Sequence, residues 1–173
     1  MNYTVDNSSF LEVIQKGETD KVRKLIEDGA DVNAVNINTA TIAGNTALVE
    51  AVMSGNLEIV SVLLEAGADP NRTTEIRKSA LGIASIAGFT KIADKLIRAG
   101  ADINFRDQYG FTPLMRASYY GCIGIVKLLI EAGADLDLST SKGHLKEDGM
   151  SALDWAIHRG NNEIIQILEE AMG

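Results

Sequence analysis

Three side chains in this sequence have the chemistry of a nucleophile, base or soft metal ligand: Cys122, His144 and His158. A cysteine beside a histidine can act as a nucleophile when the imidazole takes the thiol proton. No residue that would orient His158 and no oxyanion-type motif accompanies this pair, and a lone cysteine usually serves packing. One cysteine and two histidines spread over 36 residues also lack zinc-site spacing. We therefore predict no catalytic residue, no metal site and no cofactor, with a Cys122 and His158 enzyme or redox-active protein as the alternative.

The glycines of the chain mark a repeat rather than a phosphate-binding loop. The phrase "EAGADPN" at 65–71 returns as "RAGADIN" at 98–104 and "EAGADLD" at 131–137, after "EDGADVN" at 27–33. Gly67, Gly100 and Gly133 are 33 residues apart, which gives the repeat length. "GHLKEDG", the remaining glycine-flanked stretch, has the wrong spacing for a Walker motif.

Each repeat is predicted to contain two short helices. A hydroxyl residue opens the first helix as its N-cap, since its oxygen can accept from free backbone N–H groups, and Pro113 suits the first turn of one such helix. This helix ends at a glycine, and apolar residues at helical spacing then predict a second helix. The glycine of the recurring phrase is expected to end the second helix in the left-handed conformation. The predicted N-cap residues are Thr46, Ser79, Thr112 and Ser151.

The 33-residue period, with "GFTPLMRASYYGCIGIVKLLIEAGADLD" at 110–137 as its best example, resembles the ankyrin repeat family. The resemblance implies an all-α ankyrin-repeat solenoid of about five helix-turn-helix units joined by β-turn or hairpin loops. We predict an N-terminal extension at residues 1–7 and a single ankyrin-repeat domain at 8–173. Its units are approximately 8–33, 34–71, 72–104, 105–137 and 138–173, with insertions near 34–39 and 138–143. Because Glu169 and Glu170 would let the last helix face water, we expect the array to be complete and free-standing.

Composition restricts the possible partners. The chain has 173 residues, 46% of them hydrophobic, with 16 basic and 24 acidic side chains and a net charge of −8. This charge argues against non-specific binding to nucleic acid or an anionic membrane, since both would repel it. Neither a signal peptide nor an apolar run of membrane-spanning length is present, and a single cysteine fits a reducing compartment. We expect a cytoplasmic monomer whose partner is another protein.

The family resemblance implies that partners bind the turn tips and the exposed end of the first helix, which line a concave surface. At that helix end the units differ: Met53 and Ser54 in one unit are replaced by Tyr119 and Tyr120 in another. Interfaces favour tyrosine, phenylalanine and arginine. We therefore predict a partner-binding surface that contains Arg106, Gln108, Tyr109, Phe111, Tyr119, Tyr120, His158 and Arg159.

Two alternatives remain open for this surface and for the function. The aromatic side chains could instead serve the fold, with Phe105 filling a gap beneath a turn and Trp155 packing between repeats. The function predicted from the resemblance is protein binding as a scaffold, adaptor or inhibitor. The other possibilities are the enzyme described above and a structural subunit of a larger assembly.

Overall fold

The protein is described by a computed structural model, which covers residues 6–35, 44–74, 77–140 and 149–173. Within these residues it contains ten α-helices and no strand, so the prediction of an all-α repeat fold is confirmed. The helices are α1 (Asn7–Gln15), α2 (Thr19–Glu27), α3 (Ala47–Met53), α4 (Leu57–Glu65), α5 (Ala80–Ala87), α6 (Thr90–Arg98), α7 (Pro113–Tyr120), α8 (Ile123–Glu131), α9 (Ala152–Arg159) and α10 (Asn162–Met172).

The chain forms two compact units, Met1–Ala80 and Leu81–Gly173. In the first unit α1 packs on α2 and α3, and α4 packs on α2 and α3. In the second unit α7 packs on α8 and α9, while α10 packs on α8 and α9. The apolar face of each helix is buried against its neighbours, and the largest fully buried side chains include Phe10 and Ile59 in the first unit and Leu114 and Leu129 in the second.

Hydroxyl side chains cap the first helices of three repeats. The Oγ atom of Thr46 accepts from the backbone N–H of Val49 at 3.1 Å. Thr112 and Ser151 make the equivalent bonds at 3.3 and 3.2 Å. These bonds satisfy donors that a helix start leaves free, and they confirm the N-cap prediction at these three positions.

The recurring glycine phrase ends the second helix and begins a turn. Gly100 has φ +88°, the left-handed conformation predicted for it. Two residues later the Asp102 carboxylate accepts from the N–H of Asn104 at 2.9 Å, which fixes the turn. The Asn104 side chain then accepts from the N–H of Asp135 in the next repeat at 3.0 Å. The phrase is therefore both a helix stop and a link between successive repeats.

The loops that follow the phrase are closed by local pairing. Isolated antiparallel bridges join Val35 to Thr46 and Ser139 to Ser151. The predicted insertions near 34–39 and 138–143 extend into residues 36–43 and 141–148, which lie outside the described residues, as does His144. Helix α1 begins at Asn7, one residue before the predicted repeat domain. The domain and unit boundaries stay a prediction. None of the described helices is long and apolar enough to cross a bilayer.

Candidate functional site

A tight turn before α7 is organised by the carboxylate of Asp107. Its Oδ1 accepts from the backbone N–H groups of Tyr109 and Phe111 at 2.9 and 3.0 Å. The Asp107 backbone also pairs with Phe111 at 3.0 Å, and Gly110 adopts φ +79° between them. This turn directs the Tyr109 side chain outwards, where Tyr109 is 42% exposed. Phe111 points inwards and is only 6% exposed.

The guanidinium of Arg116 connects this turn to α7. Its Nε donates to Asp107 Oδ2 at 3.0 Å, and Nη2 contacts the same oxygen. The Arg116 Cζ atom lies 3.9 Å from the centre of the Phe111 ring, which is cation–π geometry. Both charged side chains are less than one fifth exposed, at 17% for Asp107 and 19% for Arg116. Arg116 therefore neutralises the carboxylate and covers one face of Phe111.

Aromatic rings from α7 and α9 extend the cluster. The Trp155 ring centre lies 5.0 Å from that of Phe111 and 5.4 Å from that of Tyr119. Tyr119 in turn meets Tyr120 edge-on at 5.0 Å, and His158 meets Trp155 edge-on at 5.6 Å. Such tilted and edge-on pairs are favourable arrangements of aromatic side chains. The packing of α7 on α9 thus joins residues from two repeats into one aromatic surface.

These side chains surround a pocket of about 280 Å³, which we call the aromatic pocket. Trp155 is buried at 3% exposure, whereas Tyr120 on the rim is 50% exposed. Arg159 lies just outside, with its Cζ atom 4.7 Å from the centre of the Tyr119 ring. The pocket is lined by Tyr109, Phe111, Arg116, Tyr119, Tyr120, Trp155 and His158.

The structure brings five of the eight predicted site residues into the lining of this pocket: Tyr109, Phe111, Tyr119, Tyr120 and His158. Arg159 adjoins it through Tyr119. Gln108 is exposed at the turn tip, and Arg106 is half-buried and donates to the carbonyl of Ser139, so neither lines the pocket.

Two lining residues were absent from the predicted site. The burial of Trp155 agrees with the alternative in which it packs between repeats, although Trp155 also lines the pocket. The sequence pattern does not mark Arg116, because it is a single charged residue in the middle of a helix. A possible signal was Asp107, nine positions earlier, as a partner across the turn.

Cys122 does not have the features of an activated nucleophile. It is half-buried at the start of α8, with its Sγ atom 4.0 Å from the carbonyl oxygen of Ile86. Burial raises the pKa of the Cys122 thiol above its ordinary value, which disfavours the reactive thiolate. No group of cysteine, histidine and acidic side chains among the described residues could hold a metal ion.

Comparison with known families assigns the chain to a class. A family described as ankyrin repeats in three copies matches residues 6–74 and 73–140, and one described as ankyrin repeats in many copies matches residues 114–169. The chain therefore belongs to the ankyrin repeat family, as the sequence predicted. Ankyrin repeats are in general protein–protein interaction modules and are typically non-enzymatic. No curated protein matches the chain.

Proposed function

We propose that this protein binds a partner protein through the aromatic pocket and its rim. The observation that carries the proposal is the combination of buried and exposed aromatic rings at one place. Among the described residues, five large apolar side chains are exposed, and two of them, Tyr109 and Tyr120, border this pocket. Interfaces obtain much of their binding free energy from such aromatic side chains beside a desolvated pocket.

The rim differs from the equivalent part of other repeats. Residues 33 and 66 positions before Tyr119 are Ile86 and Met53, and the neighbours of these residues are Ala87 and Ser54. Those side chains offer less surface and fewer hydrogen-bonding groups than two tyrosines. The fourth repeat, together with α9 of the fifth, is therefore the best equipped to anchor a partner.

The pocket is largely preorganised, which reduces the conformational entropy that a partner must offset. Asp107 fixes the turn through two backbone hydrogen bonds, and Arg116 is held by both Asp107 and Phe111. These contacts support a role as scaffold, adaptor or inhibitor that presents a pre-formed surface. A single cysteine, which can form no internal disulfide, agrees with a monomer that acts in the reducing cytoplasm.

The experiment that tests this proposal uses a partner isolated with the intact protein. Tyr120→Ala removes an exposed ring and should weaken partner binding by about 2 kcal/mol or roughly thirtyfold. Met53→Ala is the matched control, because Met53 is 56% exposed at the end of α3 in the first unit. Unchanged affinity for Tyr120→Ala, or an equal loss for Met53→Ala, would place the binding surface elsewhere.

The alternative of a structural subunit predicts a different result. In that case the purified protein should self-associate, and its mass by analytical ultracentrifugation should rise with concentration. The proposed function predicts a single monomeric mass.

A further inference from the structure

The charge around the aromatic pocket indicates what kind of partner segment it accepts. We propose that the pocket binds an acidic peptide segment with one large apolar side chain, which enters the pocket while the neighbouring carboxylates face Arg159 and His158. This inference rests on the proposed function, since it specifies the segment that the same site binds.

The size of the pocket favours a single side chain. Its volume of about 280 Å³ is just below the range of roughly 300 to 1,000 Å³ typical of small-molecule sites. Its lining includes Phe111, Tyr119 and Trp155, whose rings contact one another. An aromatic or long aliphatic side chain would replace solvent next to these rings, and an aromatic one would add edge-to-face contacts.

Among the described residues, no carboxylate neutralises the positive charge beside the pocket. Arg159 is exposed and has no carboxylate partner among the described residues, whereas Arg116 is paired with Asp107. The acidic residue of α9, Asp154, accepts instead from the N–H and hydroxyl of Ser151 at 2.8 and 2.7 Å. In a chain with a net charge of −8, Arg159 therefore gives this rim an available cation. A carboxylate from a partner complements it.

A basic partner segment fits the same geometry poorly. Aromatic rings attract cations through their faces, but Arg116 already lies over Phe111 and Arg159 over Tyr119. An incoming lysine or arginine would meet the like charge of Arg159, whereas the Arg116 charge is already paired with Asp107. Repulsion would therefore select against it.

The test uses the single tryptophan of the chain, Trp155, as a fluorescent reporter in the pocket. Three short synthetic peptides are titrated: phenylalanine flanked by glutamates, phenylalanine flanked by lysines, and serine flanked by glutamates. We expect a saturable change in Trp155 emission with the first peptide, and at least roughly tenfold weaker binding by the other two. Added salt should weaken the binding of the first peptide, because it screens the attraction between carboxylate and guanidinium.

Two variants test whether Arg159 contributes to the binding of the acidic phenylalanine peptide. Arg159→Gln should weaken the acidic phenylalanine peptide about threefold to tenfold. Arg98→Gln is the matched control, since Arg98 is an exposed arginine near the end of another helix, paired with Asp94. It should leave the dissociation constant unchanged. Thermal melting of both variants checks that they are folded.

Three outcomes would overturn the inference: no saturable binding of the acidic phenylalanine peptide, equal or tighter binding of the lysine-flanked peptide, or no effect of Arg159→Gln. The failure of the proposed function is a different result. If Tyr120→Ala weakens binding of the partner protein but the acidic phenylalanine peptide does not bind, only the proposed preference for an acidic segment with an apolar side chain is wrong. If Tyr120→Ala leaves partner binding unchanged, the site itself is wrong.

Discussion

The carboxylate of Asp107 binds the guanidinium of Arg116, with 3.0 Å between Oδ2 and Nε, while its other oxygen accepts from the backbone of the turn. This one side chain therefore positions both Tyr109 on the rim and Arg116 above Phe111. Because the pair is largely shielded from water, its loss affects stability as well as the shape of the pocket.

Replacing Asp107 should destabilise the second unit. In Asp107→Ala two backbone donors and the Arg116 charge lose their acceptor, so we expect the free energy of unfolding to fall by about 1 to 3 kcal/mol. Urea denaturation measures this change. The exposed pair of Arg98 and Asp94 provides the control, because Asp94→Ala should have little effect. Comparable losses in both variants would show that the Asp107 contacts have no special role.

Glycine should be required in the recurring phrase because of its left-handed backbone conformation, and not because a side chain there would clash. A Cβ atom at Gly100 would meet nothing within 4 Å, yet its φ is +88°. Gly100→Val should therefore destabilise the protein by about 1 to 3 kcal/mol through backbone strain. Gly100→Asn, whose side chain tolerates this conformation better, should lose less. Equal thermal midpoints for the valine and asparagine variants would contradict the strain explanation.

Two buried serines at equivalent positions of neighbouring repeats should respond differently to alanine. Ser85 donates to the carbonyl of Leu81 at 2.8 Å, but the Ser118 hydroxyl, 33 residues later, finds no partner among the described residues. Ser118→Ala should be neutral or stabilising, because it removes an unsatisfied polar group. Ser85→Ala should cost about 0.5 to 1.5 kcal/mol. The reverse order of thermal midpoints would be inconsistent with these hydrogen bonds.

The thiol of Cys122 should react slowly and only at high pH. Burial raises its pKa, so the protonated form persists to a higher pH than in an ordinary cysteine. The rate of alkylation by iodoacetamide, measured against pH, should therefore rise later than that of free cysteine. An alkylation rate at neutral pH above that of free cysteine would support the alternative enzyme with Cys122 and His158.

Much of the fold could be predicted because the same helix-capping residues recur in several repeats. Thr112 before a helix and Gly100 after one act through their own backbone neighbourhood, which the sequence shows directly. The helix pairs follow from the same markers. The repeat boundaries at the loops stay a prediction.

The pocket was harder to predict because it depends on packing between two helices. Tyr119 and Tyr120 stood out by type, but the contact of Tyr119 with Trp155 requires the positions of both α7 and α9. This contact also leaves Tyr119 half-buried, so truncating it should affect stability, whereas Tyr120 is 50% exposed. Arg116 is held at the pocket by its hydrogen bond to Asp107. Helical periodicity does not reveal this contact, because Asp107 lies in the turn before the helix.

The most direct test of the central claim is hydrogen–deuterium exchange of the intact protein with and without its bound partner. The account predicts slower exchange in the partner complex at residues 107–121 and 152–160, where the turn, α7 and α9 form the aromatic pocket. The Tyr120→Ala variant should lose this protection at the same partner concentration. Protection confined to α1–α4 of the first unit, with unchanged exchange around the pocket, would contradict the account.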